Sequence, residues 1–227
     1  MSATIERPYL LTSVGKKMVM GITGLIWAGF VFSHMAGNML ILVSPEAYNT
    51  YGHMITSGVI VYPAEFILVL SFLLHVGCAV SLVRGNMSAR GGQRYAMPTN
   101  GEKAVTPASK TMAIHGSLIL AFIISHIATF KYGIYYETTA HGVVMRDLHR
   151  LVMEVFRQPG FLFWYLLCLI LLGFHLSHGV GSIFQSLGIR NDRMAPVINK
   201  VSVLYGLIVA LGFIVQPLYV FFTLGNR

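Results

Sequence analysis

Charge is scarce in this chain. Only 11% of its 227 residues are charged, where a soluble domain carries about a quarter. Acidic residues are scarcest, 8 Asp and Glu against 16 Lys and Arg. So few charges cannot dress the surface of an ordinary water-solvated domain of this length. Cysteine is nearly absent as well. Cys78 and Cys168 both fall within apolar runs, and neither a disulfide framework nor a Cys-x-x-Cys motif is present. Internal repeats are lacking. The net charge of +8 is not gathered into the basic stripe that a nucleic-acid partner requires, because the basic residues lie between apolar runs.

Apolar residues make up 55% of the chain. They gather into five runs of the roughly 20 residues that cross a bilayer: about 18–43, 63–83, 111–130, 161–187 and 197–224. The first follows Lys16-Lys17, exceeds the core of a signal peptide and precedes no small-residue cleavage site, so it reads as a retained span. The expected fold class is an all-α integral membrane protein, a single domain over 1–227 built as a five-helix transmembrane bundle.

The connections alternate in charge. Arg7, Lys16, Lys17, Arg84, Arg90, Arg94, Lys103, Lys110, Arg190, Arg193 and Lys200 fall on one side; Lys131, Arg146, Arg150, Arg157 and Arg227 fall on the other. Eleven against five places the N-terminus in the cytoplasm and the C-terminus outside. The first loop, 44–62, has no basic residue, in agreement. In the second outer loop, VVMRDLHRLVMEVF over 143–156 has apolar residues at helical spacing, which predicts an amphipathic helix at the outer interface.

Histidine is the residue that carries chemistry. His34, His75, His126 and His175 stand within four consecutive spans, and His178 follows in the fourth. Ionisable groups inside a membrane point to function. A neutral histidine bonded to a neighbouring helix is the ordinary alternative, but it has to be invoked four times. With about 1.5 Å of rise per residue, His34 and His126 come late in outward-running spans and His75 and His175 past the midpoints of inward-running ones. The four sort into an outer pair, His34 with His126, and an inner pair, His75 with His175. Two histidines from different helices at one depth make a bis-imidazole iron site. Gly21, Gly24, Gly29, Gly173, Gly179 and Gly181 either admit a flat macrocycle or serve ordinary helix packing. Zinc is disfavoured, since cysteines and carboxylates that would complete a tetrahedral site do not accompany these histidines; Cys78, three residues after His75, stands alone.

These features, with FSHMAGN around His34, LLHVG around His75, IISHI around His126 and GFHLSHGVGSIFQSLG around His175, carry a resemblance over essentially the whole chain. It resembles the diheme cytochrome b membrane-anchor subunit, single-chain and five-helix, of succinate:quinone oxidoreductases and quinol:fumarate reductases. The segment MRDLHRLVMEVF also looks like the connecting helix of one bacterial branch. The resemblance implies a multi-pass protein of the bacterial cytoplasmic membrane with two haem b. His75 and His175 would hold the proximal haem, and His34 and His126 the distal one. The family's ligand stands some 13 residues before the glycine that ends span four, which selects His175 over His178. It further implies a flavoprotein subunit and an iron–sulfur subunit on the cytoplasmic side, menaquinone or menaquinol as the lipid-soluble partner, and succinate/fumarate interconversion on the partner flavoprotein. A dimer of the complex is compatible with it. Some members carry a glutamate two residues before the span-four ligand, as part of a proton route; here that position is Gly173.

Quinol oxidation releases protons, so a base near the outer haem is expected. Glu65, at the outer end of span two, is the candidate proton acceptor, with Tyr62, His53 and Glu46 nearby in sequence; the alternative for Glu65 is a helix-end acid favoured by the dipole. His115 and His178 are candidates for a haem propionate, as are Lys17 and Arg84, while His141 and His149 read as solvated loop residues. Two other functions compete: the cytochrome b subunit of a hydrogenase or formate dehydrogenase, and a histidine-bearing membrane transporter.

Overall fold

In lipid a backbone satisfies its own polar groups best as a helix. A computed structural model describes residues 8–89, 91 and 111–224. Arg7, Arg90, Arg94, Lys103, Lys110 and Arg227, on which much of the expected charge asymmetry rests, lie outside the described residues. The long helices are α1 (Ser13–Asn38), α3 (Val61–Ala89), α4 (Met112–His126), α6 (Pro159–Ser186) and α7 (Ala195–Leu224). A 3-10 turn prolongs α1 to Leu42 and a π turn, Ile127–Lys131, prolongs α4. Among the described residues, five helices are long and apolar enough to cross a membrane.

The helices outrun the apolar segments. Thr12 caps α1, its Oγ1 accepting from Gly15 N at 3.1 Å, so Lys16 and Lys17 are already helical. Likewise α3 continues through Arg84. Long basic side chains let a helix cross the lipid boundary, since their apolar stems stay in the apolar layer and their charged ends reach water. Helix α6 ends at Gly188, whose φ of 74° allows Ile189 N to reach back to Phe184 O at 2.9 Å.

Three smaller elements crown one end of the bundle. The first loop contains α2 (Pro45–Thr56), started by Ser44, whose hydroxyl accepts from Ala47 N at 3.0 Å, and by Pro45 in the first turn. The other loop forms a hairpin, β1 (Glu137–Ala140) with β2 (Val143–Arg146), then α5 (Leu148–Phe156). His141 and Gly142 both have positive φ, as a two-residue hairpin turn requires. The expected amphipathic helix over 143–156 is thus divided. The paired Val143 and Val144 suit a strand, and the Asp147 side chain accepts from Arg150 N at 3.0 Å to start the helix there. Its apolar face, Leu151, Val152, Val155 and Phe156, is buried against Ile41, Tyr48, Tyr165, Leu169 and Val220. That face therefore meets protein.

This cluster joins the end of α1, the start of α6 and the end of α7, so the long helices alternate in direction. Helix α6 packs on α7, α4 and α1, and α1 packs on α3. Helices α3 and α4 meet at most marginally, and Ser71 is the one buried residue of α3.

Candidate functional site

The four histidines expected as ligands enter from four different long helices. His34 (α1) and His126 (α4) come together near the crown, their ring centroids 5.8 Å apart. Metal–imidazole bonds of about 2 Å on each side would put two ring centroids roughly 6 Å apart, so this spacing admits one metal between the rings. His75 (α3) and His175 (α6) lie toward the other end of the bundle and are electrostatic neighbours, with His115 and His178 beside His175. The helices of each pair are not consecutive in the chain, so neither pair is a local motif.

Side chains on other turns and helices orient these rings. Tyr165 Oη lies 3.2 Å from His126 Nδ1, within an aromatic cluster of Phe122, Phe130 and Phe156. Thr23 Oγ1 lies 3.1 Å from His75 Nδ1. Asn38 Nδ2 donates to His34 O at 2.8 Å and stands 3.4 Å from His34 Nδ1. Tyr48, buried at the crown, donates to Asn38 Oδ1 at 2.8 Å, and burial holds its phenol above its ordinary pKa. An oxygen that accepts from Nδ1–H, as Tyr165 Oη and Thr23 Oγ1 can, leaves Nε2 free for a ligand, the usual device at imidazole–metal sites; Asn38 Nδ2 is itself a donor and braces His34 through its backbone carbonyl. His175 differs, since its Nδ1 is buried with no hydrogen-bond partner among the described residues.

Glycines bring the backbone of neighbouring helices close to the inner pair. A Cβ placed on Gly24 would stand 3.4 Å from His75 Cε1, and one on Gly116 would stand 4.0 Å from His175 Cε1. The other glycines serve different ends. Gly173 and Gly181 face Ala210 and Ser202 across the α6–α7 crossing, Gly21 faces Ser186, and Gly29 and Gly179 face open space. With a Cβ at position 173 only 2.9 Å from Ala210 Cβ, a glutamate there would collide with α7.

The remaining candidates scatter. His178 Nε2 meets Ser182 Oγ at 3.1 Å on its own helix. His115 is buried, stacks on Phe174 and has an unpartnered Nδ1. Glu65 Oε1 pairs with Lys131 Nζ at 2.5 Å, each side chain about half exposed. Glu46 pairs with His141 Nε2 at 3.1 Å, and both line a surface cleft with Ser44, Ala47, Thr50, Tyr51 and Met54. His149 is half-buried beside Tyr48 and its own backbone N donates to Asn49 Oδ1. Tyr62, Lys17 and Arg84 are exposed, and His53 is half-buried. Among the described residues no group of three or more His, Cys, Asp or Glu is placed to hold a bare metal ion.

Sequence reasoning missed Thr23, Asn38 and Tyr165. The spacing of His34 and Asn38, one helical turn, was available as a local signal. Contacts of Thr23 and Tyr165 cross between helices and leave none. Comparison of the chain with known protein families, curated proteins and solved structures finds no match.

Proposed function

We propose that this chain is the membrane-anchor cytochrome b subunit of a succinate:quinone oxidoreductase or quinol:fumarate reductase. The observation that carries the reading is the meeting of His34 with His126 near the crown, with His75 and His175 on two further helices at a second level. His34 and His126 would hold one b haem, and His75 and His175 the other. When bound, these groups supply one-electron transfer across the bilayer. A pair of imidazoles offers two ligands, which suits an iron whose other four come from a macrocycle.

The residues divide the remaining work. Thr23 and Tyr165 orient the ligand rings of His75 and His126, Asn38 braces the backbone of His34, and Gly24 and Gly116 let neighbouring helices approach His75 and His175. At the crown end, Glu65 is the proposed acceptor of the quinol proton. Its Oε1 is held by Lys131, so a menaquinol hydroxyl would be received at Oε2. In this reading the crown faces outward and the N-terminus is cytoplasmic. The flavoprotein and iron–sulfur subunits dock at the opposite end, on the cytoplasmic face of a bacterial inner membrane. A transmembrane proton route through position 173 is not part of it, because Gly173 is packed against α7.

The test is a haem count on the chain purified from its own membrane, with its co-purifying subunits identified. Two b haems per chain with a flavoprotein and an iron–sulfur protein are expected. One haem or none overturns the reading; two haems with a hydrogenase or formate dehydrogenase subunit transfer it to that class.

A further inference from the structure

His75 differs from its presumed fellow ligand in how its second nitrogen is occupied. Thr23 is buried on α1, facing α3. Its hydroxyl donates along its own helix to Val19 O at 2.8 Å, with Met20 O at 3.2 Å. A hydroxyl has one proton and two lone pairs. With the proton committed to the α1 backbone, Oγ1 faces His75 Nδ1, 3.1 Å away, as an acceptor. Nδ1 of His75 therefore carries the proton, and Nε2 is left with the free lone pair. Across the inner pair, His175 Nδ1 is buried and has no such partner among the described residues.

We infer that Thr23 is a positioning residue for the inner haem: its hydroxyl fixes the tautomer of His75 and makes that imidazole the stronger electron donor of the inner pair. The inference rests on the haem reading above. An N–H donated to an acceptor raises the basicity of the ligating nitrogen, which favours ferric over ferrous iron. Thr23 thus holds the inner haem at a lower potential than two unassisted imidazoles would. Polar residues that touch neither the iron nor the quinone seldom reveal such a role in sequence, and Thr23 stands in an unremarkable GITGL segment.

The experiment compares Thr23→Val, which keeps the shape and removes the oxygen, with Thr23→Ser, which keeps the oxygen, in the full complex. Haem content is measured first, then the potential of each haem by optical titration, with the ferric EPR signals as a second readout. Two haems in the unaltered complex establish the setting; fewer would overturn the haem reading itself. In that case the His75 tautomer, read by nitrogen NMR on the labelled chain, still decides the Thr23 contact. Thr23→Val is expected to raise one haem's potential, by about tenfold in its reduced-to-oxidised ratio (about 59 mV for one electron), and to shift one EPR signal. Thr23→Ser is expected to restore both. Unchanged potentials in Thr23→Val, or equal shifts in both variants, overturn the inference. If Thr23→Val loses one haem while Thr23→Ser keeps both at native potentials, the hydroxyl is required and the inference stands.

Discussion

Gly206 tests whether the α6–α7 crossing governs the inner histidine pair. A Cβ on Gly206 would lie 2.6 Å from Gly173 O and 2.9 Å from Ser177 N, besides striking Ser177 Oγ. Two of those three atoms are backbone, so no rotamer change relieves the contact and the helices must part by several tenths of an ångström. Overpacking of this kind costs about 1–3 kcal/mol, against roughly 1 kcal/mol gained by replacing a helical glycine with alanine. Gly206→Ala should therefore lose up to about 2 kcal/mol net and lie below the control by about 1–3 kcal/mol. Gly29→Ala is the control, because no atom lies within 4 Å of its Cβ position; it should be neutral or slightly stabilising. His175 sits on α6 between Gly173 and Ser177, so the displacement should also loosen the inner haem before the outer one. The assay is equilibrium unfolding in detergent micelles, followed by helicity, with haem content measured on the same samples. Equal stability of the two variants would refute the reasoning.

Three further outcomes are expected. His175→Ala should remove one haem, while His178→Ala, which loses its hydrogen bond with Ser182 and about 1 kcal/mol, should keep both; a haemochrome assay with the opposite result reverses the assignment. Glu65→Gln should lower quinol-linked turnover about 100-fold or more, cost at most about 1 kcal/mol of stability through the exposed ion pair, and leave fumarate reduction by an artificial donor intact; near-normal quinol oxidation would make Glu65 a structural partner of Lys131. Burial lowers the pKa of His149, with Asp147 partly opposing, so folding favours its neutral form. The contribution is complete above the ordinary histidine value near 6.5 and is lost as pH falls from there toward the lowered folded value; amide exchange in Leu148–Phe156 should quicken between about pH 7 and 5, and no change, or slower exchange, would show that His149 is not coupled to the crown.

The five long helices were legible because lipid imposes length and hydropathy together, and both can be counted along a sequence. The pairing of His34 with His126 was legible for a similar reason, since depth follows from position within a span. The crown was not. Ser44-Pro45-Glu46 carries an N-terminal helix signal, yet it lies between two spans where an absence of basic residues drew the interpretation. Residues 143–156 misled because Val143 and Val144 fit a helical apolar stripe and a strand equally well; the turn at His141-Gly142 and the Asp147 cap settle which forms. The Glu65–Lys131 pair joins residues far apart in sequence, and two long side chains reach each other across helices that otherwise scarcely touch.

Asn49 uses both ends of its side-chain amide at the crown, Nδ2 donating to Asp147 Oδ1 at 2.8 Å and Oδ1 accepting from His149 N at 2.8 Å. The residues it joins are separated by most of two further spans, so during synthesis Asn49 emerges long before its partners exist. Helix α2 can form at once from its own cap, but the asparagine stays without its acceptor and donor until the chain has crossed and returned. The same order holds for His34, which waits for His126. Insertion of the first two spans therefore yields a scaffold whose polar contacts are held open, and the third span with the loop that follows it closes them. A block in translation between residues 60 and 140 should leave membrane-inserted chains with helices but without a settled crown.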